Sequence, residues 1–188
     1  MAKSFLSFVK GNVRMKLYVM RHGETEYNLL DRVCGISDVP LTEKGIKQAE
    51  AAATQIDNID PDLIFVSPLI RAQQTAEAAL GGRSFVTEPR LTEENFGVCE
   101  GVSRFDETFI HAKRNIAVRQ PGGESFVRLC HRVYSLIEDT YQKYPDKKVL
   151  WVCHGTFGRA VRTYFVDMTN DEIFEYAMGN CEICEYEM

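Results

Sequence analysis

The chain has 188 residues and a net charge of −5, with 45% hydrophobic and 26% charged residues. A typical domain has ~150 residues, and a chain of this size buries roughly 70% of its unfolded surface, so it holds a core without staples. This composition excludes disorder, a fibre or a disulfide miniprotein. The acidic balance argues against a sequence-independent nucleic-acid binder, and no stretch approaches the ~20 apolar residues that span a bilayer.

Residues 1–14 carry Lys3, Lys10 and Arg14 and no acid, and their apolar part, Phe5 to Val9, is broken by Ser7. No small-residue cleavage site follows, which argues against a secretory signal. They are expected as an extension ahead of a single domain spanning 15–188. Lys16–Met20 reads as a first strand, Leu63–Val66 as a second and Val149–Cys153 as a third. Their apolarity is continuous rather than alternating, as in strands of a parallel sheet covered on both faces. Ser84–Thr87 is a candidate fourth strand, and Ile183 to Glu187 a late edge strand.

Helices fill the intervals. Thr42 is a candidate N-cap, and Ile46, Ala49, Ala53 and Ile56 fall on one face of the helix after it. Ser67-Pro68 offers a capping hydroxyl and a first-turn proline for a helix through Ala72, Thr75, Ala76 and Ala79 to Gly81-Gly82. Phe126, Leu129, Val133, Leu136 and Ile137 form an amphipathic stripe that stops near Pro145. A last helix is expected after Gly155. Alternation of this kind predicts a three-layer α/β/α sandwich around a mostly parallel sheet.

The six cysteines are scattered, several within apolar runs. They read as reduced, partly buried thiols of a cytoplasmic protein. Cys181 and Cys184 form the one close pair, and no second pair at zinc-site spacing accompanies them, so no metal site is expected.

In a parallel α/β sheet, ligands bind outside the carboxyl ends of the strands. The first strand ends in Arg21-His22-Gly23, and the Val149–Cys153 strand ends in His154-Gly155. Two strands thus each deliver a histidine followed by a glycine, in a chain with four histidines. The other two, His111 and His131, lie in polar helical contexts and read as surface residues. Arg71 falls in the first turn of the helix after Val66, where a cation opposes the helix dipole unless an anion is bound. Arginines, histidines and helix N-termini at one edge form an anion site, with phosphate the obvious candidate. A histidine there is a competent nucleophile if one ring nitrogen is unprotonated and faces phosphorus. Surrounding cations oppose its protonation, and a backbone carbonyl can fix its tautomer. Glu93 and Glu94 lie just after the fourth strand candidate and offer carboxylates for the leaving oxygen.

Arg21-His22-Gly23-Glu24-Thr25 with Asn28 resembles the signature of the histidine phosphatase superfamily, also called the phosphoglycerate mutase-like family. Further segments match in order: Gly35 with Pro40-Leu41-Thr42 and Gly45; Ser67-Pro68-Leu69 with Arg71, Ala72, Gln74 and Thr75; Leu91-x-Glu93 with Phe96-Gly97 and Glu100-Gly101; Pro121-Gly122-Gly123-Glu124-Ser125; and Val152-Cys153-His154-Gly155. The likeness spans about residues 15–188. It implies that His22 becomes a phosphohistidine and that Arg21, Arg71 and His154 bind the phosphoryl group. It implies that Asn28, Gly35 and the amide of Gly155 add substrate contacts, and that Glu93 is the general acid and then the base. It implies no metal and no cofactor, because arginines take the electrostatic role.

Three departures shade this reading. Cys99 stands where related chains often carry tryptophan, and Cys34 where mutases place a hydroxyl residue. The segment 102–120 is short, whereas true phosphoglycerate mutases hold their three-carbon acid in longer insertions. The expected activity is therefore hydrolysis of a small phosphorylated metabolite by a monomer or homodimer. A phosphoglycerate mutase is the enzymatic alternative, and a non-catalytic phospholigand-binding module the alternative of another class. Pocket specificity is expected to lie in 102–120. Residues 171–188, with six acids and no lysine or arginine, read as a solvated edge.

Overall fold

The computed structural model describes residues 14–188, so all but residue 14 of the expected N-terminal extension lies outside the described residues. The strands are β1 (Lys16–Arg21), β2 (Leu63–Val66), β3 (Val86–Thr87), β4 (Lys148–Cys153) and β5 (Ile183–Glu187), and they form one sheet in the order β3-β2-β4-β1-β5. β4 lies between β1 and β2 and runs parallel to both, β3 is parallel to β2, and β5 is antiparallel to β1. The helices are α1 (Glu26–Leu29), α2 (Glu43–Ile59), α3 (Ile70–Ala79), α4 (Glu107–Arg114), α5 (Phe126–Lys143), α6 (Gly155–Phe165) and α7 (Asn170–Glu175). The architecture is α/β, with helices on both faces of a mostly parallel sheet.

The period of two along β1 and β4 divides the core. Leu17, Val19, Val149, Trp151 and Cys153 pack with Leu129, Val133 and Ile137 of α5 and Phe157 and Val161 of α6. Tyr18, Met20, Leu150 and Val152 pack with Ala49 and Ile56 of α2 and Ala72 and Ala76 of α3 on the other face. Both faces being covered is the physical reason that the strands read as unbroken apolar runs.

Three local expectations differ from the structure. The buried stripe of α2 is Gly45, Ala49, Ala52 and Ile56, and Ile46 is exposed. The start of α2 packs on the loop after β1, where a β-carbon on Gly23 would lie 2.4 Å from the Gly45 carbonyl oxygen. That contact turns Gly45, and with it Ala52, toward the core. The glycine at 23 therefore serves backbone packing against α2. Second, Ser67 does not cap α3, whose N-cap is Leu69 with no side-chain hydrogen bond. The Ser67 hydroxyl pairs with His154 at 2.7 Å and accepts a long bond, 3.4 Å, from the Leu69 amide, which precedes the first turn. Third, the strand expected over 84–87 narrows to Val86–Thr87, an exposed edge with one neighbour, β2. Thr42 and Ser125 do cap α2 and α5 through their side chains, and no described helix is long and apolar enough to cross a membrane.

Leu129 is fully buried between α5 and the sheet. Leu129→Ala is expected to lower unfolding free energy by about 2–5 kcal/mol in a denaturant titration, through lost transfer energy and a cavity. A change under about 0.5 kcal/mol, the size typical of a surface site, would show that α5 does not seal this face.

Candidate active site

Arg21 closes β1, Ser67 follows β2 and His154 follows β4, so three neighbouring strands deliver their last residues to one edge of the sheet. α3 and α6 begin at the same edge. The structure brings Arg21, His22, Arg71 and His154 together there. The imidazoles of His22 and His154 have centroids 5.3 Å apart, and Arg71 Nε donates to His22 Nε2 at 3.1 Å.

His22 is buried, and its Nδ1 lies 2.7 Å from the Gly23 carbonyl oxygen. A carbonyl only accepts, so Nδ1 carries the proton. Nε2 accepts from Arg71 and is therefore bare. Burial, then the charges of Arg71 and Arg21, hold the His22 pKa well below the usual imidazole range. His154 is depressed in the same direction by burial, Arg71 and His22. Both rings are neutral near pH 7.

Arg71 is fully buried and makes no ion pair among the described residues. Its Nη1 and Nη2 donate to the carbonyls of Ser37 and Gly35 at 2.8 and 2.6 Å. Those carbonyls are held by Glu100, whose carboxylate accepts from the amides of Gly35, Ile36, Ser37 and Phe96 and from the Ser37 hydroxyl. Thr75 completes the frame, accepting from the Gly23 amide and donating to the Arg71 carbonyl.

A cleft of about 150 Å³ opens in front of His22. Arg21, His22, Asn28, Glu93 and Gly155 line it, and the fully buried Arg71 and His154 are not among its lining residues. Arg21 Nε and His154 Nδ1 are buried without a hydrogen-bond partner among the described residues. A β-carbon at residue 155 would sit 3.4 Å from Arg21 Nε, so glycine there leaves the guanidinium room. Glu93 is buried, and both its oxygens are taken by backbone amides: Thr156 at 2.9 Å, Phe157 at 2.8 Å and Glu94 at 3.0 Å. Two of these amides belong to the first turn of α6, where the helix dipole favours an acidic group. Asn28 Oδ1 accepts from the Thr25 amide and from Asn180 Nδ2, which leaves its own Nδ2 to donate. Gly35 is not a lining residue, and its N–H and C=O serve Glu100 and Arg71.

Sequence reasoning missed Asn180, Glu100 as the holder of 35–37, and four further cations of the cleft, Arg32, Arg104, Lys113 and Arg159. Arg159 lies one turn after Gly155 on α6, a spacing that puts both on one helix face. Lys113 comes from α4, a helix the sequence did not announce; burial and the cations of Arg159, Arg104 and Arg114 bring it down to about 8. His111 and His131 are exposed, and among the described residues no three His, Cys, Asp or Glu side chains cluster as a metal-holding group.

The family model of the histidine phosphatase superfamily, branch 1, matches residues 17–188. The chain belongs to that superfamily. It is 37% identical to the probable phosphoglycerate mutase GpmB of Yersinia pestis, over 75% of this chain and 70% of that protein. Among solved structures it resembles phosphoserine phosphatase from Entamoeba histolytica in complex with 3-phosphoglyceric acid, with TM-score 0.80 and 28% identity, covering 91% of this chain and 89% of the other. It also resembles a mycobacterial glucosyl-3-phosphoglycerate phosphatase, with TM-score 0.81 and 26% identity, covering 92% and 89% of the two chains.

Two predictions follow from this geometry. The unfolded chain takes up protons on His22 and His154 below about pH 6.5, and the folded chain does not. Stability is therefore expected to fall as pH drops below 6.5, by up to about 1.4 kcal/mol per pH unit for each imidazole. NMR titration of the two rings, with urea melts at pH 7 and 5.5, checks this; rings that titrate near 6.5 would contradict it. Glu100→Gln keeps the size of the side chain but weakens its hold on 35–37. It is expected to lower kcat/KM for a phosphomonoester by roughly 10–100-fold through misplaced Arg71, in contrast to an unchanged value if Glu100 were only a surface acid.

Proposed function

We propose that the chain is a metal-independent phosphatase that hydrolyses a small phosphomonoester through a phosphohistidine on His22. The observation that carries this reading is the tautomer of His22: the proton sits on Nδ1, bound to the Gly23 carbonyl, and the bare Nε2 stands among cations. In the first step Nε2 bonds to phosphorus as the bond to the leaving oxygen breaks, and Glu93 passes that oxygen a proton. In the second step water attacks phosphorus, its proton returns to Glu93, and the N–P bond breaks. The orphaned Arg21 Nε and His154 Nδ1 take phosphoryl oxygens, and Arg71 Nε turns from Nε2 onto a third as the bond forms. Asn28 Nδ2 and the Gly155 amide complete the cradle. Positioning and charge stabilisation supply most of the acceleration in phosphoryl transfer, and the guanidiniums and imidazoles provide both.

The GpmB relative supports mutase action as a second reading. A mutase keeps its phosphoenzyme from water. The segment 102–120 contributes a single short helix, α4, and the rim residues Arg32 and Arg104 are exposed, an arrangement that favours admission of water.

His22→Ala is expected to abolish phosphate release from a metabolite panel with EDTA present, and Glu93→Gln to slow it by roughly 10²–10⁴-fold, most for poor leaving groups. Retained turnover in His22→Ala would exclude the nucleophile. With 3-phosphoglycerate, rapid formation of the 2-isomer without free phosphate would establish the mutase instead.

A further inference from the structure

None of the five residues of Pro121-Gly122-Gly123-Glu124-Ser125 lines the cleft. The backbone of this segment packs instead against the turn that follows Glu93. The Glu124 amide donates to the Asn95 carbonyl and the Val98 amide to the Pro121 carbonyl, both at 2.9 Å. A β-carbon on Gly123 would lie 2.2 Å from the Asn95 carbonyl oxygen, and one on Gly97 would lie 2.1 Å from the Pro121 carbonyl oxygen. Glycine at both positions lets the two backbones touch. The Glu124 carboxylate then reaches across the contact: its Oε1 accepts from the Asn95 amide at 3.0 Å and from Arg132 Nη2 at 2.8 Å.

Arg132 lies on α5, outside the residues that line the cleft. Its two terminal nitrogens are spent on the segment that carries Glu93 and on the brace beside it. Nη1 donates to the carbonyls of Arg90 at 2.8 Å and Thr92 at 2.6 Å, and Nη2 to the Glu93 carbonyl at 3.3 Å and to Glu124. A planar guanidinium presents such a fork, whereas an ammonium is a single point. Arg90 makes a second tie to the same helix, donating to Asp139, two turns beyond Arg132, at 2.5 Å. Between these ties Leu91 is fully buried in the core with α5. The main chain at Glu93 is thus held by α5, while its carboxylate is held by amides of α6.

We propose that Arg132, braced by Glu124, is a positioning residue for proton transfer: it fixes the main chain of 90–93 and so sets the reach of the Glu93 carboxyl to the leaving oxygen. The inference rests on the phosphatase reading of the cleft. A general acid acts only within hydrogen-bond reach of the oxygen that it protonates, and a misplacement of about 1 Å costs about 10²-fold. The residues proposed to cradle the phosphoryl group, Arg21, His22, Arg71 and His154, come from β1, α3 and the exits of β1 and β4. Loss of Arg132 therefore falls on esters whose leaving oxygen needs a proton, and spares those whose oxygen leaves unaided.

The test compares phenyl phosphate with 2,4-dinitrophenyl phosphate, esters of one ring whose leaving oxygens differ in their need for a proton. kcat/KM covers the steps up to the phosphoenzyme, so it separates the acid step from the later attack of water. Arg132→Met is expected to lower kcat/KM for phenyl phosphate by about tenfold or more and for the dinitrophenyl ester by less than about threefold, with inhibition by inorganic phosphate unchanged. Arg132→Lys, which keeps the charge and one point of attachment, is expected to recover part of the loss. On a Glu93→Gln background, Arg132→Met is expected to add no further loss with phenyl phosphate, because it acts through that carboxyl. Equal loss on both esters, no loss on either, or full additivity with Glu93→Gln overturns the proposal. Glu124→Gln, which leaves α5 untouched, carries the same comparison if Arg132→Met does not fold. A wild type that cleaves both esters, with variants that do not distinguish them, loses the positioning role alone. A wild type that releases no phosphate from either ester loses the phosphatase reading as well.

Discussion

The site is organised around a buried guanidinium that has no counter-carboxylate among the described residues. Arg71 is fully enclosed and spends its donors on two carbonyls and an imidazole nitrogen. A buried charge needs polar partners for its donors. Backbone dipoles supply them here without cancelling the charge, so the positive field stays available to an incoming anion. A carboxylate in their place would settle Arg71 and also compete with a phosphoryl group. Glu100 supplies the negative charge one step back: it grips the amides of 35–37, and the carbonyls of the same segment face the arginine. The field of Arg71 and the burial of His22 then act in one direction, keeping the imidazole neutral.

Glu93 shows the complementary arrangement. Its carboxylate sits at the first turn of α6 and is held by three amides, two of them from that turn. His154 is the residue before α6, and the amides that follow it in the first turn hold the Glu93 carboxylate. One strand end thus positions His154 and, through backbone N–H groups of α6, the Glu93 carboxylate. The two side chains cannot drift apart without unwinding the helix.

Much of this was legible because strand ends are legible. The apolar runs of β1, β2 and β4 mark where chain direction is fixed, and Arg21-His22 and His154-Gly155 stand at their exits. Arg71 was readable as an oddity of charge in a first helical turn. Other features were not readable, for identifiable reasons. Ser67 has the residue type and position of a helix cap, but a neutral buried imidazole competes for its hydroxyl and wins. Ala53 and Ala52 cannot be told apart by composition, and the choice between them depends on the contact between Gly23 and Gly45. Asn180 lies more than 150 residues from His22 and Asn28 along the chain, and only the pairing of β5 with β1 returns it to them.

The division of labour within the cleft follows from the same distinction. Arg21, His22 and His154 are fixed by strand ends, and under the proposed reaction they meet the part of the ligand that every phosphomonoester shares. Arg104, Phe109, Lys113 and Glu94 come from the loops and short helix between β3 and α5. That region carries no strand to set its register, so its chemistry can change while the residues at the strand ends stay as they are. The segment 102–120 was expected to hold specificity, and in the structure it brings three of those four side chains to the cleft. Its brevity has a physical consequence: α4 reaches the cleft with two turns of helix and stops, which leaves Arg32 and Arg104 exposed at the rim.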